Sequence, residues 1–205
     1  MMTGMTEPVT LHDISPPLAP DLAVWPGDAP LSRELVADLR SGDVATVSTL
    51  RATVHLGAHL DAPSHYAPNG ATIDACPLER FVGPCQVVRV ATQPGARIQA
   101  DALPATFTAP RVLIATGTYP DPTQFNEDFA GLHPSAVEHL AAAGVGLIGV
   151  DTPSVDRVAD EDLPAHQACA RTGVLILEGL RLERVPEATY ELIALPLRLV
   201  GFDAS

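Results

Sequence analysis

Three histidines and one aspartate fall within eleven residues, His55-Leu-Gly-Ala-His59-Leu-Asp61-Ala-Pro-Ser-His65. The chain has 7 histidines in 205 residues, so random scatter would put well under one in such a window. Imidazole and carboxylate are the preferred ligands of zinc and similar divalent ions. Side chains four apart share a face on either a helix or a strand. Asp61, six residues from His55, shares that face only on a strand, because a helix would turn it about 240° away. Pro63 also disfavours helix at Ala62. The spacing therefore predicts an extended segment with His55, His59 and Asp61 on one face. Gly57 would allow close backbone approach or a bulge, and His65 would reach the same point from a loop. Three protein ligands leave a coordination position for water, whereas Asp61 as a bridging carboxylate would serve two ions. Further ligands must come from distant sequence, and His166 and Glu178 are the candidates. Glu178 closes the apolar run Gly173-Val-Leu-Ile-Leu177, where a carboxylate is costly unless paired or liganded. Taken alone, His166 reads as an exposed helix residue. His12, His133 and His139 have no partner pattern and read as structural.

Composition removes several other chemistries. All 12 cationic side chains are arginine, so no lysine is available for a Schiff base, a phosphate loop or a Ser–Lys dyad. Against 25 acidic residues they leave a formal charge of −13, which argues against a nucleic-acid surface and suits a holder of cations. Three separated cysteines make neither a Cys-x-x-Cys pair nor a disulfide framework. With no apolar run near 18 residues and no basic-then-apolar leader at the N-terminus, the expectation is a cytoplasmic protein without membrane contact.

The elements that must position these residues read as a strand-rich α/β chain forming one domain over 1–205, with residues 1–8 a loose tail. Strands are expected over 9–15, 44–60, 85–91, 111–115, 145–150, 174–177 and 190–199, from β-branched runs and alternation. Residues 31–41 could be a helix or an irregular connection. Helices are expected over 134–143, with Pro134 at its first position and Gly144 as its stop, and over 162–170. Trp25-Pro-Gly-Asp28, carrying the only tryptophan, and Asn69-Gly70 are turn signals.

The stretch His-x-Gly-Ala-His-x-Asp-Ala-Pro-x-His-Tyr over 55–66 resembles the signature of the cyclase-like metal-dependent hydrolases. Within that family the resemblance is strongest to the kynurenine formamidase (arylformamidase) branch. Supporting segments run nearly end to end: Asp13-Ile-Ser-Pro-Pro-Leu18, Trp25-Pro-Gly-Asp28, Gly83-Pro-Cys85, Gly149-Val-Asp-Thr-Pro-Ser154, Leu177-Glu-Gly179 and Tyr190-Glu-Leu-Ile-Ala-Leu-Pro-Leu197. The resemblance implies a swivelling β/β/α domain, a homodimer and two zinc ions per subunit, with manganese as an alternative metal. His55 and His59 would hold the first ion and His166 the second, with Asp61 and Glu178 bridging. His65 would be the catalytic acid/base, and Trp25 would line the substrate pocket. The implied reaction is hydrolysis of N-formyl-L-kynurenine to L-kynurenine and formate in tryptophan degradation. The ending Gly-Phe-Asp-Ala-Ser205 is abrupt beside such relatives, so a short further tail is expected. Other readings stay open: a family member acting on a cyclic aromatic amide such as isatin, or a metal-binding module without catalysis. A serine or cysteine hydrolase is disfavoured, because no Gly-x-Ser-x-Gly elbow is present.

Overall fold

A computed structural model describes residues 10–205. The expected tail over 1–8, and the first residue of the expected strand over 9–15, lie outside the described residues. Residues 10–15 form no strand. There the Asp13 carboxylate turns the chain by accepting from the Ser15 N–H, and two prolines follow with no N–H to offer a ladder.

The strands in chain order are β1 (Ser32–Ala37), β2 (Val47–Arg51), β3 (His59–Asp61), β4 (Val82–Arg89), β5 (Arg97–Ile98), β6 (Arg111–Ala115), β7 (Gly131–Leu132), β8 (Leu147–Val150), β9 (Leu175–Glu178) and β10 (Thr189–Ile193). The α-helices are α1 (Pro63–Tyr66), α2 (Pro134–Ala142) and α3 (Pro164–Thr172). Six strands make the main sheet in the order β10-β4-β6-β8-β9-β3. The inner four are parallel, and β10 and β3 run antiparallel at the two edges.

The inner strands read as continuous apolar runs because both faces of the sheet are covered. Val112, Ile114, Ile148 and Ile176 pack with Val137 and Leu140 of α2 and Ala168 and Cys169 of α3. Leu113, Ala115, Leu147, Leu175 and Leu177 point the other way, towards Phe81, Leu180 and Leu182. The α/β class expected from the sequence is the architecture observed.

Three further expected elements change. Residues 31–41, left between helix and irregular structure, form β1 and a short 3-10 turn over Leu39–Ser41. The strand expected over 44–60 breaks into β2 and β3, with bends at residues 54–55 and 57–58. The strand expected over 190–199 stops at Ile193. Downstream, the Ala194 N–H bonds the Phe81 carbonyl and the Leu197 N–H the Ser205 hydroxyl, but the ladder with β4 ends at Ile193. Cys76, Cys85 and Cys169 are free and buried.

Candidate metal centre

The register of β3 against β9 builds the deep part of the site. His59 lies opposite Glu178 and Asp61 opposite Ile176, so His59, Asp61 and Glu178 project from one face. All three are buried: His59 is 5% exposed, Glu178 3% and Asp61 0%. Glu178 is followed by Gly179 at φ +70°, where a Cβ would meet the Gly57 carbonyl. Only glycine lets β9 leave the sheet so close to the 57–58 bend.

The extended-segment expectation holds for His59 and Asp61 but not for His55. Gly57, at φ +64°, turns the backbone between them, and His55 reaches Asp61 from a bend. His65 sits in the single turn of α1 rather than in a loop; Pro63 takes the first helical position and Ala62 remains extended. His166, which alone reads as an exposed helix residue, is 2% exposed. It lies on the inward side of α3 with its ring 5.3 Å from that of Tyr66. Its Nδ1 is bound to Asp156 at 2.8 Å, and Asp156 also accepts from the backbone N–H groups of Ala165 and His166. Asp156 thus caps α3, whose cap residue Leu163 offers no side-chain bond, and fixes the imidazole with the same carboxylate.

Each of the three imidazoles has one nitrogen held from outside and the other turned inward. The His59 Nδ1–H donates to the Gly57 carbonyl at 3.0 Å. His166 Nδ1 is held by Asp156, and His55 Nε2 by Asp203 Oδ2 at 3.0 Å. The inward atoms converge on two carboxylates. His55 Nδ1 and His59 Nε2 lie 3.0 and 3.4 Å from Asp61 Oδ1, and His59 Nε2 lies 3.5 Å from Glu178 Oε2. His166 Nε2 lies 3.3 Å from Asp61 Oδ2 and 3.6 Å from Glu178 Oε1. The two oxygens of each carboxylate therefore divide between a His55/His59 side and a His166 side.

These distances are short, yet His59 Nε2 and Asp61 Oδ1 make no hydrogen bond of acceptable geometry and are buried from water. Such orphaned lone pairs are costly unless a cation fills the space between them. His59, Asp61 and Glu178 offer ligand atoms within 4.8 Å of one another, as do His55, Asp61 and His65. Burial alone would lower the His59 pKa, but the adjacent carboxylates of Asp61 and Glu178 push it up to about 10. Burial likewise opposes protonation of His166, and Asp156 and Asp61 push it up to about 10. The donor set and the orphaned atoms fit divalent metal.

Above the cluster lies a cavity of about 550 Å³. Trp25, His55, His59, His65, His166 and Glu178 line it, and Asp61 lies buried beneath. Trp25 stands edge-on to Phe125 and Phe129 at 5.4 and 6.2 Å, and Tyr119 continues this aromatic wall. All seven residues singled out in the sequence thus meet at one place. Asp156 and Asp203 were not singled out. The signal for Asp156 was an aspartate just after the Asp-Thr-Pro-Ser loop; Asp203 stood in the final segment, noted only for its abrupt ending. His133 caps α2 and His139 bonds the Pro104 carbonyl, as structural residues do.

The sequence profile of the Cyclase family matches residues 12–157, and the chain belongs to that family. The match takes in the 55–65 cluster and stops short of His166 and Glu178. Two solved structures are each 30% identical to this chain. One is a "potential metal-dependent hydrolase with cyclase activity" (TM-score 0.81, covering 94% of this chain and 92% of that chain). The other is a "predicted metal-dependent hydrolase from Bacillus stearothermophilus" (TM-score 0.78, 95% and 93%). Isatin hydrolase A from Labrenzia aggregata shares the fold at 24% identity (TM-score 0.75, 95% and 90%). Among the described residues, no helix is long and apolar enough to cross a membrane.

Proposed function

We propose that this Cyclase-family metal-dependent hydrolase cleaves the formyl amide of N-formyl-L-kynurenine, releasing formate and L-kynurenine. The observation that carries the reading is the cage itself: three imidazoles with outer nitrogens fixed and inner nitrogens aimed at Asp61 and Glu178, at the floor of an aromatic-walled cavity. His55, His59, Asp61, His166 and Glu178 would hold two zinc ions, or manganese in their place. Divalent ions there would supply Lewis acidity, which makes water a nucleophile near neutral pH and offsets charge on a carbonyl oxygen.

The chain's own residues supply the rest. His65 is exposed on the cavity wall, its Nδ1 3.6 Å from Asp203 Oδ2. Its other nitrogen takes a proton from the attacking water as the O–C bond forms. It returns the proton to the aniline nitrogen as the C–N bond breaks. Trp25 and Phe125 offer an aromatic surface for the substrate ring. Among the described residues, Arg181 is the one arginine lining the cavity, which Asp28 and Asp151 also line. Asp151 is already held by Thr116 and Gly117, which leaves Arg181 and Asp28 for the carboxylate and ammonium of an amino-acid substrate.

A second reading, hydrolysis of a cyclic aromatic amide, draws support from the isatin hydrolase likeness. A direct comparison decides: N-formyl-L-kynurenine and isatin, each with zinc- and manganese-loaded protein. The larger kcat/KM is expected for N-formyl-L-kynurenine; faster turnover of isatin would move the assignment to the second reading.

A homodimer belongs to the same proposal. In the β1–β2 hairpin Leu35, Val36, Val47 and Leu50 are all exposed. A lone two-stranded ribbon is marginal in water, and a second copy covering it would bury that apolar surface.

A further inference from the structure

Residues 201–205 lie along the free edge of β3. The Leu60 N–H donates to the Ser205 carbonyl at 2.8 Å, the Ser205 N–H to the Leu60 carbonyl at 3.1 Å, and the Ala62 N–H to the Asp203 carbonyl at 2.8 Å. Asp61 and Ala204 form an antiparallel bridge, and Ala204 is fully buried. The Ile73 N–H donates to the Phe202 carbonyl, and the Gly201 N–H to the Asp74 carboxylate, each at 2.9 Å. The segment is therefore an added strand piece on the element that carries His59 and Asp61.

Its carboxylate points into the site. Asp203 Oδ2 lies 3.0 Å from His55 Nε2 and 3.6 Å from His65 Nδ1. The need for it follows from the backbone. His59 and His166 stand on a strand and a helix, and each is also fixed by an outer partner. His55 stands in a bend, and Asp203 is the outer partner of its ring.

We propose that Asp203 is a positioning residue, reaching the metal through His55 and the proton-transfer step through His65. It holds His55 in the tautomer that presents the Nδ1 lone pair beside Asp61, and it restrains the His65 ring at the cavity wall. A carboxylate behind a ligating imidazole fixes the ring and raises its basicity; losing one typically costs about 10–100-fold in metal affinity or activity. The proposal rests on the metal-hydrolase reading of the site.

The test uses Asp203→Ala, Asp203→Asn and Phe202→Ala. Metal-stripped proteins are titrated with Co²⁺, whose visible spectrum reports both affinity and ligand geometry. Then kcat and KM are measured for N-formyl-L-kynurenine. Asp203→Ala should weaken cobalt binding by about 10–100-fold and lower kcat by a similar factor, with KM little changed. Asp203→Asn keeps an acceptor for the His55 Nε2–H and should recover most of the cobalt affinity. Phe202→Ala leaves the carboxylate and the backbone bonds in place and should match wild type. Wild-type cobalt affinity in Asp203→Ala would overturn the proposal. So would an equal loss in Phe202→Ala, which would assign the effect to docking of the segment. Should Asp203→Ala not fold, Asp203→Ser is read the same way, its hydroxyl being too short to reach His55. The cobalt titration involves no substrate. Wild-type protein that binds cobalt but leaves the formyl amide intact would therefore refute the formamidase reading alone.

Discussion

Two groups of buried carboxylates show different ways of paying for burial. Asp160 is 6% exposed and accepts from Arg97 and from the backbone and guanidinium of Arg157, so both oxygens have partners within the chain. Asp61 is 0% exposed, and its Oδ1 faces only imidazole nitrogens, without an acceptable hydrogen bond. The first cluster is closed by arginine and needs nothing further. The second gathers imidazole and carboxylate donors without internal cationic partners, a set that could hold a metal ion. Metal binding is thus legible in what the second cluster leaves unsatisfied, as much as in its residue types.

The difference predicts which substitutions touch function and which touch only stability. The largest effect is expected from His59→Ala. It should lower bound metal, read by elemental analysis, and take amide hydrolysis to the uncatalysed background. A variant with full metal content would break the proposed division of roles. His65→Ala should keep its metal while kcat falls by about 10²–10⁴. Loss of an ion instead would make His65 a ligand, which its place beside His55 and Asp61 allows geometrically.

Asp160→Asn should leave metal content and turnover unchanged and cost about 1–2 kcal/mol in chemical denaturation, a modest value because both arginines are partly exposed. The same carboxylate carries a pH dependence. Burial raises its pKa, but the bonds from Arg157 and the charge of Arg97 outweigh this and hold it below the usual range. A depressed folded-state pKa gives stability that is present above the unfolded value, roughly 3.9. That stability is lost as pH falls through the folded value. Wild type should therefore lose more stability than Asp160→Asn on acidification below about pH 4. Parallel acid curves would mean that the arginines contribute nothing measurable.

Sequence spacing reaches some of the site and misses the rest for identifiable reasons. His59 and Asp61 were readable because period two is a property of any strand. His55 was assigned to the same strand because its i+4 spacing looks identical whether the chain runs straight or turns at Gly57. His166 is a candidate ligand by residue type, but alone it reads as an exposed helix residue, and its place on the second ion comes from the family resemblance. Its burial depends on Asp156, ten residues upstream, and on packing against Tyr66, neither of which leaves a local periodicity. Asp203 is 148 residues from His55, and only pairing of its segment with β3 brings the two together. The hairpin strand β1 was equally obscure. Ser-Arg-Glu-Leu-Val-Ala has no buried face to impose alternation, and its strand form comes from pairing with β2.

Stripping and reloading the metal tests the central claim most directly. Chelated, dialysed protein should show no hydrolysis of N-formyl-L-kynurenine, and activity should return on titration with zinc or manganese, reaching its plateau near two equivalents per chain. Full activity in protein shown by elemental analysis to be free of metal would contradict the account.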